Sequence, residues 1–140
     1  MSILDRFQAY ADAFEESYVD DDWSRIAPYF TEGAVYEGEP EARGRDQVLA
    51  KLKSGVDSFD RRMDSRTPLF ETPQVEGDTL SVRWQVTYTK SGAADLVISG
   101  VETAVFEGDR IALLRDRFDP EAQKAMEQWM AANGGLLQGS

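Results

Sequence analysis

A change in hydrophobic periodicity near residue 62 constrains the fold of this chain more than any other feature. Before that point apolar residues recur every three or four positions, as on the buried face of an amphipathic helix; Phe7, Tyr10 and Phe14 are examples. After it, apolar and polar residues alternate, most clearly over residues 80–89, which is the pattern of a strand with two different faces. Helices followed by strands predict an α+β domain.

The same patterns give approximate bounds for the elements. Helices are predicted over residues 3–18, 23–30, 45–62 and 120–133, and Pro28 should keep the second of these short, because proline removes a backbone donor. A brief strand is predicted at 34–37 and longer strands at 66–72, 80–89, 96–106 and 111–118. Turn residues at 91–92 and 108–109 join the last three strands, which must therefore be antiparallel neighbours.

Length and charge limit the organisation and the partners. A chain of 140 residues is the size of one domain, predicted here as 1–133 followed by a flexible tail at 134–140. The formal net charge of −11 disfavours nucleic acid and anionic membranes as partners. No apolar run approaches the roughly 20 residues that span a bilayer, and nothing at the start resembles a secretory signal, so a cytoplasmic location is expected.

Two missing residue types narrow the possible chemistry. The sequence contains no Cys and no His, which excludes thiolate nucleophiles, imidazole bases and the usual zinc ligands. It also contains no dinucleotide-binding glycine motif, phosphate loop or metal-ligand cluster, so neither a cofactor nor a metal is expected. Any acid–base chemistry must come from Asp, Glu, Tyr, Lys or water.

Several short segments carry a resemblance to a known family. They are DWSRIAPYF at 22–30 leading into GAVY at 33–36, GRD at 44–46, and GDRI at 108–111 leading into RDRFD at 115–119. Over roughly residues 4–130 the chain resembles the nuclear transport factor 2-like superfamily, which includes SnoaL-type polyketide cyclases, ketosteroid isomerases and limonene-epoxide hydrolases. The resemblance implies a cone-shaped, curved antiparallel sheet wrapped around the N-terminal helices, a C-terminal helix and a pocket for a small apolar molecule. The fold hosts enzymes and non-enzymes alike.

The resemblance also implies a set of catalytic residues. Asp116 matches the position of a catalytic Asp on the last strand, and the same register places Arg83 and Glu102 on the inward face beside it. One Arg cannot neutralise two carboxylates in an apolar cavity, so one acid is expected to have a raised pKa and to exchange a proton near neutral pH. The alternative is structural, because an Arg–Asp pair across two strands can simply fix their register.

Further residues are expected to line the pocket, with Gln85 and Tyr36 orienting the substrate. The set of expected substrate-binding residues is Gln85, Tyr36, Phe14, Ile98, Gly100, Leu114 and Phe118. The familiar sites are incomplete, however. Gly38 stands where the hydrolases keep an Asn and the isomerases a base, Gln85 replaces a second Asp of the hydrolases, and Phe14 replaces the oxyanion-hole Tyr of the isomerases.

Three functions therefore stay open, and so does the question of whether the chain is an enzyme. The first is a cofactor-independent isomerase, cyclase or lyase that uses Asp116 on a small apolar carbonyl compound. The second is a non-catalytic ligand-binding or association module, and the third an epoxide hydrolase variant in which Glu102 replaces the missing acid. A homodimer through the outer sheet face is also expected, because that register exposes an apolar patch there. The patch comprises Val82, Trp84, Val86, Ile111 and Leu113.

Overall fold

A computed structural model of the protein describes residues 2–38 and 41–137. Three α-helices, seven strands and three short 3₁₀ segments follow one another in a pattern that confirms the α+β class. The helices are α1 (Ile3–Asp20), α2 (Arg45–Ser58) and α3 (Pro120–Asn133), and the 3₁₀ segments are Trp23–Tyr29, Asp60–Arg62 and Gly134–Leu137. The strands are β1 (Phe30–Glu37), β2 (Ala42–Arg43), β3 (Ser65–Phe70), β4 (Gln74–Glu76), β5 (Thr79–Thr89), β6 (Leu96–Glu107) and β7 (Arg110–Phe118).

All seven strands belong to one curved, unclosed sheet with the order β2-β1-β7-β6-β5-β3, and β4 pairs with the beginning of β5. Every neighbouring pair is antiparallel except β1 and β7, which are parallel. The predicted antiparallel pairing of the strands joined by short turns is confirmed, and β1, for which the sequence indicated no partner, runs parallel to β7. A hairpin turn forces its two strands to be antiparallel, whereas β1 and β7 are separated by most of the chain and no turn sets their relative direction.

One face of the sheet is covered by helices and carries two hydrophobic cores. The first core lies under α1, the segment Trp23–Tyr29 and α2, and includes Ile26, Phe30, Leu80, Ala104, Ile111 and Leu114, all at most 1% exposed. The second core lies under α3 at the other end of the long strands, and its buried members are Met63, Val86, Tyr88, Leu96, Ile98, Ala122, Trp129 and Leu137.

The covered face of β5 is the opposite of the one predicted. Val82 and Val86 are 2% and 7% exposed, whereas Arg83 lies on the outer face. A β-bulge between Val105 and Phe106 also places Ile111 opposite Phe106 on the covered side. The predicted exposed patch is therefore wrong for Val82, Trp84, Val86 and Ile111; of that set, Leu113 alone remains on the outer face. Burial of the apolar set decided the orientation, because exposing those side chains would forfeit most of the hydrophobic stabilisation.

The bounds of several elements differ from the sequence-based ones. Helix α2 ends at Ser58, β1 begins at Phe30, and the short strands β2 and β4 were not predicted. Leu137 is buried in the second core and its carbonyl oxygen accepts a hydrogen bond from Arg62 Nη1 at 2.8 Å. The first part of the predicted tail, residues 134–137, therefore contacts the second core, and residues 138–140 lie outside the described residues. None of the described helices has the length and apolar character needed to cross a membrane.

Candidate functional site

Two carboxyl groups lie side by side on the covered face of the sheet. Glu102 on β6 and Asp116 on β7 are direct cross-strand partners, and Val82 on β5 continues the same row. Side chains of direct partners are only about 4.5–5.5 Å apart at Cβ. This row of cross-strand partners lies between the two cores. The next row along the strands on one side belongs to the first core. On the other side, the next row consists of Trp84, Gly100 and Phe118 and leads to the second core.

The protonation of this pair is perturbed by burial. Removal from water raises the pKa of Glu102 well above its ordinary value, and the charge of Asp116 raises it further. Burial likewise raises the pKa of Asp116, although hydrogen-bonding interactions with Glu102, Tyr36 and Trp84 limit that rise. Two like charges at this separation cannot both be maintained at low cost, so the state in which one of the two carboxyl groups is protonated is favoured.

Two tyrosines surround the carboxyl pair. The Tyr36 hydroxyl on β1 donates a hydrogen bond to Asp116 Oδ2 at 3.2 Å. Burial raises the pKa of Tyr36 and also that of Tyr10 on α1, with further increases from the negative charges of Glu102 and Asp116. Both hydroxyls therefore stay protonated and can act only as neutral donors or acceptors at physiological pH.

Trp84 closes the site on the side of the second core. Its ring contacts that of Phe118 edge to face, with centroids 5.3 Å apart, across the intervening strand β6. This arrangement requires Gly100, since a Cβ there would lie 2.8 Å from Trp84 Cζ2 and 2.4 Å from the backbone oxygen of Arg117. Gly100 therefore leaves the space that the indole needs to cross β6.

The structure does not bring Arg83 to this pair. Arg83 pairs with Val101 and thus lies on the outer face, where its Nη2 donates to Asp119 Oδ2 at 2.5 Å. Ser99 Oγ donates to the same Asp119 oxygen at 2.7 Å. The prediction that Arg83 shares a cavity with Asp116 and Glu102 is wrong, because successive residues on a strand point to opposite faces and the predicted register was shifted by one residue. None of the ion pairs between described residues involves Glu102 or Asp116.

The expected substrate-binding residues divide into three groups. Tyr36, Gly100 and Phe118 lie at the site, and Phe118 is 36% exposed. Leu114 and Ile98 are on the same covered face, but they are buried in the first and the second core.

The resemblance implied that Gln85 and Phe14 line the pocket, but neither lies at the carboxyl pair. Gln85 is exposed on the outer face, opposite Leu69 and Ser99, so the prediction that it orients a substrate in the pocket is wrong. Phe14 packs in the first core, with its ring centroid 5.3 Å from that of Trp23.

A second cluster of charged groups was missed by the sequence analysis. Arg66 on β3 lies 3.0 Å from Asp60 Oδ2 and 2.8 Å from Glu15 Oε1, and the Tyr88 hydroxyl donates to Asp60 Oδ1 at 3.2 Å. The side chains of Arg66 and Asp60 are only 12% and 17% exposed. Four separate segments supply these residues, so no local pattern marks them. They form a structural link between α1, the segment Asp60–Arg62, β3 and β5.

Two open clefts on the surface of the described residues lie away from Asp116. One, of about 380 Å³, lies along α2 and the other, of about 630 Å³, lies beside β4. Neither is lined by Glu102 or Asp116, and both of these residues are half-buried. Within the described part of the chain, no three Asp or Glu side chains are grouped as metal ligands.

Comparison with solved structures places the chain among proteins of one fold. An NTF2-like protein of unknown function from Exiguobacterium sp. 255-15 is 19% identical, with a TM-score of 0.64 over 85% of this chain and 99% of that one. A protein from Jannaschia sp. CCS1, provisionally assigned as a SnoaL-like polyketide cyclase, is 17% identical with a TM-score of 0.70 over 91% and 92%. TerC, co-crystallised with polyporic acid, is 12% identical with a TM-score of 0.66 over 90% and 98%.

At these identities the structural likeness establishes the fold alone. No curated protein matches the sequence at a significant level. The sequence itself matches the SnoaL-like domain over residues 7–114, which is most of the chain and contains β1 to β6 together with the first part of β7. The chain therefore belongs to the SnoaL-like family of the nuclear transport factor 2-like fold.

Proposed function

We propose that this protein binds a small uncharged organic molecule at the Glu102–Asp116 pair and catalyses proton transfer on it without a cofactor, as an isomerase, cyclase or lyase. The observation that carries the proposal is the pairing of these two carboxyl groups on the covered face, with no ion pair from a described cation. A structural acid pair would be a net cost to folding, because burial of the charge is offset only by hydrogen bonds.

The two groups are suited to opposite roles. Asp116, ionised and with a raised pKa, is a stronger base than an ordinary carboxylate and takes a proton from the carbon next to a carbonyl group. Glu102 holds a proton and donates it to the carbonyl oxygen, which yields a neutral enol and leaves the total charge of the site unchanged. Tyr36 holds Asp116 in place through Oδ2. Return of a proton to a different carbon completes an isomerisation, whereas return to the same carbon gives only exchange. In a ring closure the enol carbon instead forms a bond to a second carbonyl carbon of the same molecule, and the protonated carboxyl group delivers its proton to the new alkoxide oxygen.

The family supports a small organic ligand as the substrate class. TerC has the same fold and was co-crystallised with polyporic acid, and the Jannaschia protein carries a provisional assignment as a polyketide cyclase. An uncharged substrate fits this chain because the net charge of −11 and the carboxylate of Asp116 disfavour anions.

Deuterium exchange into small ketones would test the proposal directly. A panel such as cyclohexanone and 2-tetralone is incubated with the protein in D2O, and incorporation beside the carbonyl is followed by NMR. Exchange above the buffer rate is expected, with a loss of about 100-fold or more in Asp116→Asn, since general bases contribute 10²–10⁴-fold. Asp119→Asn is the matched control, because Asp119 directly follows the same strand β7 but pairs with Arg83 on the outer face of the sheet. Equal losses in both variants, or exchange that is unaffected by Asp116→Asn, would contradict the proposal.

A non-catalytic binding or association module is the second candidate. The observation that favours it is that the two open clefts formed by described residues lie away from the carboxyl pair. This function predicts a ligand whose affinity is unchanged in Asp116→Asn and no exchange with any ketone. The epoxide hydrolase alternative needs an Arg beside the carboxyl groups, and Arg83 lies on the outer face instead. Incorporation of labelled water oxygen into a diol would restore it.

A homodimer and a cytoplasmic location remain predictions. The outer face that would form the dimer interface carries Leu69 and Val97, which are 60% and 48% exposed, among polar residues of β5 and β6. Light scattering decides between a mass near the 15.7 kDa of one chain and twice that value.

A further inference from the structure

The buried indole N–H of Trp84 is the polar group that the proposed chemistry leaves unused. Trp84 Nε1 has no contact with solvent and no hydrogen-bond partner among the described residues. Buried tryptophan N–H groups usually have a partner, and leaving such a donor unsatisfied costs about 1–3 kcal/mol. The other buried indole at the second core is satisfied, since Trp129 Nε1 donates to the Ala94 carbonyl oxygen at 2.9 Å.

The orientation of this N–H relative to Asp116 limits what can accept from it. Trp84 lies near enough to Asp116 to stabilise its charged form, yet the two groups do not form a hydrogen bond of acceptable geometry. Asp116 Oδ1 is likewise buried and has no hydrogen-bond partner among the described residues. A carboxylate offers about four lone-pair positions. Tyr36 occupies one of them at Oδ2, which leaves Asp116 Oδ1 able to accept a hydrogen bond.

We propose that Trp84 Nε1 and the Asp116 carboxylate together bind one oxygen atom that accepts from the indole N–H and donates to the carboxylate, namely a hydroxyl group. The proposal rests on the proposed function, because it places the ligand at the same carboxyl pair and makes Trp84 a specificity-determining residue there. A ligand hydroxyl and a held water molecule share this chemistry. A carbonyl or ether oxygen does not, because it cannot donate, and a carboxylate is repelled by Asp116.

The neighbouring row of the sheet suits an aromatic ring attached to such a hydroxyl. Phe70, Trp84 and Phe118 belong to one row on the covered side, with Gly100 between the last two. Phe70 is 57% exposed and Phe118 36%, so both keep apolar surface that a flat ring can cover. Aromatic pairs of this kind contribute about 0.5–1.5 kcal/mol beyond their burial, which corresponds to a gain of about 2- to 13-fold in affinity.

Three small probes separate the requirements. Phenol both accepts and donates, anisole only accepts, and benzoate is an anion of the same size. Each is titrated into ¹⁵N-labelled protein, and the indole signal of Trp84, assigned with Trp84→Phe, is followed. We expect phenol to shift that signal and to bind about tenfold or more tightly than anisole, since anisole loses a hydrogen bond to a charged group. Benzoate should leave the signal unshifted.

Matched variants test the role of the indole N–H. Trp84→Phe keeps an aromatic ring and is expected to weaken phenol binding by about 2- to 13-fold. Trp129→Phe removes the buried indole N–H at the second core, outside the site, and should leave phenol affinity unchanged. If Trp84→Phe fails to fold, the comparison of phenol with anisole in the unmodified protein still decides the question. Equal affinities for phenol and anisole, or no shift of the Trp84 signal with any probe, would overturn the proposal.

A last measurement identifies the source of the oxygen and separates this inference from the proposed function. The measurement is cross-relaxation between the Trp84 indole proton and a long-lived water molecule. If this signal persists at saturating phenol, the bound oxygen belongs to water. If phenol binding removes the signal, the bound oxygen belongs to the ligand. If phenol and anisole bind equally while Asp116→Asn still abolishes deuterium exchange, the inference fails and the proposed function stands. If Asp116→Asn has no effect on deuterium exchange while phenol binds as expected, the proposed function fails and the hydroxyl-binding site stands.

Discussion

Replacing Gly100 by alanine tests the packing that shapes the site. The added Cβ would lie 2.4 Å from the backbone oxygen of Arg117 and 2.8 Å from Trp84 Cζ2, both well inside van der Waals contact. The indole can turn away, but the oxygen of Arg117 belongs to the neighbouring strand β7 and can move only with the ladder between β6 and β7. Overpacking of this kind costs about 1–3 kcal/mol.

The expected result follows from the size of the chain. A loss of 1–3 kcal/mol lowers the melting temperature by about 4–12 °C for a domain of roughly this length. Circular dichroism at increasing temperature measures the shift, and denaturant unfolding gives the free energy. Adding Trp84→Phe should recover only part of the loss, because it relieves the contact with the ring and leaves the contact with the Arg117 oxygen.

Gly55→Ala is the matched control. Gly55 lies within α2, and a Cβ there meets no atom within 4 Å. Alanine in a helix is favoured over glycine by about 0.5–1 kcal/mol, so this variant should be more stable than the unmodified protein. A Gly100→Ala protein that is as stable as the unmodified one, or full recovery by Trp84→Phe, would refute the assignment of the close approach to the β7 backbone.

Three further predictions concern charged groups. Because the folded-state pKa of Glu102 is raised, its contribution to stability is present at low pH and is lost as pH rises through that pKa. The variant Glu102→Gln has no such loss. Its free energy of unfolding, measured in urea, should therefore increase relative to that of the unmodified protein as pH rises from 4 to 8. Arg66→Met leaves the buried Asp60 charge without its partner and should cost about 3 kcal/mol in the same assay. Arg83→Gln breaks an exposed ion pair with Asp119 and should leave deuterium exchange into ketones unchanged. A large loss of exchange would indicate that Arg83 takes part in the reaction after all.

The sequence by itself determined the order and type of the main elements. The period of the apolar residues set α1, α2 and the long strands β5 to β7, because burial of one helix face or one strand face requires that spacing. Turn residues at 91–92 and 108–109 fixed the antiparallel pairing of those strands. The resemblance to the family located Glu102 and Asp116 on a common face, and the structure does bring them together.

Only the tertiary structure decided which face of β5 is covered. The register carried over from the family placed Arg83 inward, whereas the alternation of Leu80, Val82 and Val86 already favoured the opposite orientation. A shift of one residue exchanges the two faces of a strand completely, and the apolar set decides between them because it must be removed from water. Local hydrophobic alternation was therefore the more reliable signal.

The environment of the carboxyl pair also depended on contacts that no local pattern encodes. The bulge between Val105 and Phe106 brings Ile111 into the core, and the missing side chain of Gly100 lets Trp84 reach across β6 to Phe118. Each of these features joins residues that are far apart in the chain. These features are stabilised by packing and desolvation in the assembled fold. The sequence specifies them only indirectly, because each depends on the positions that many other residues adopt.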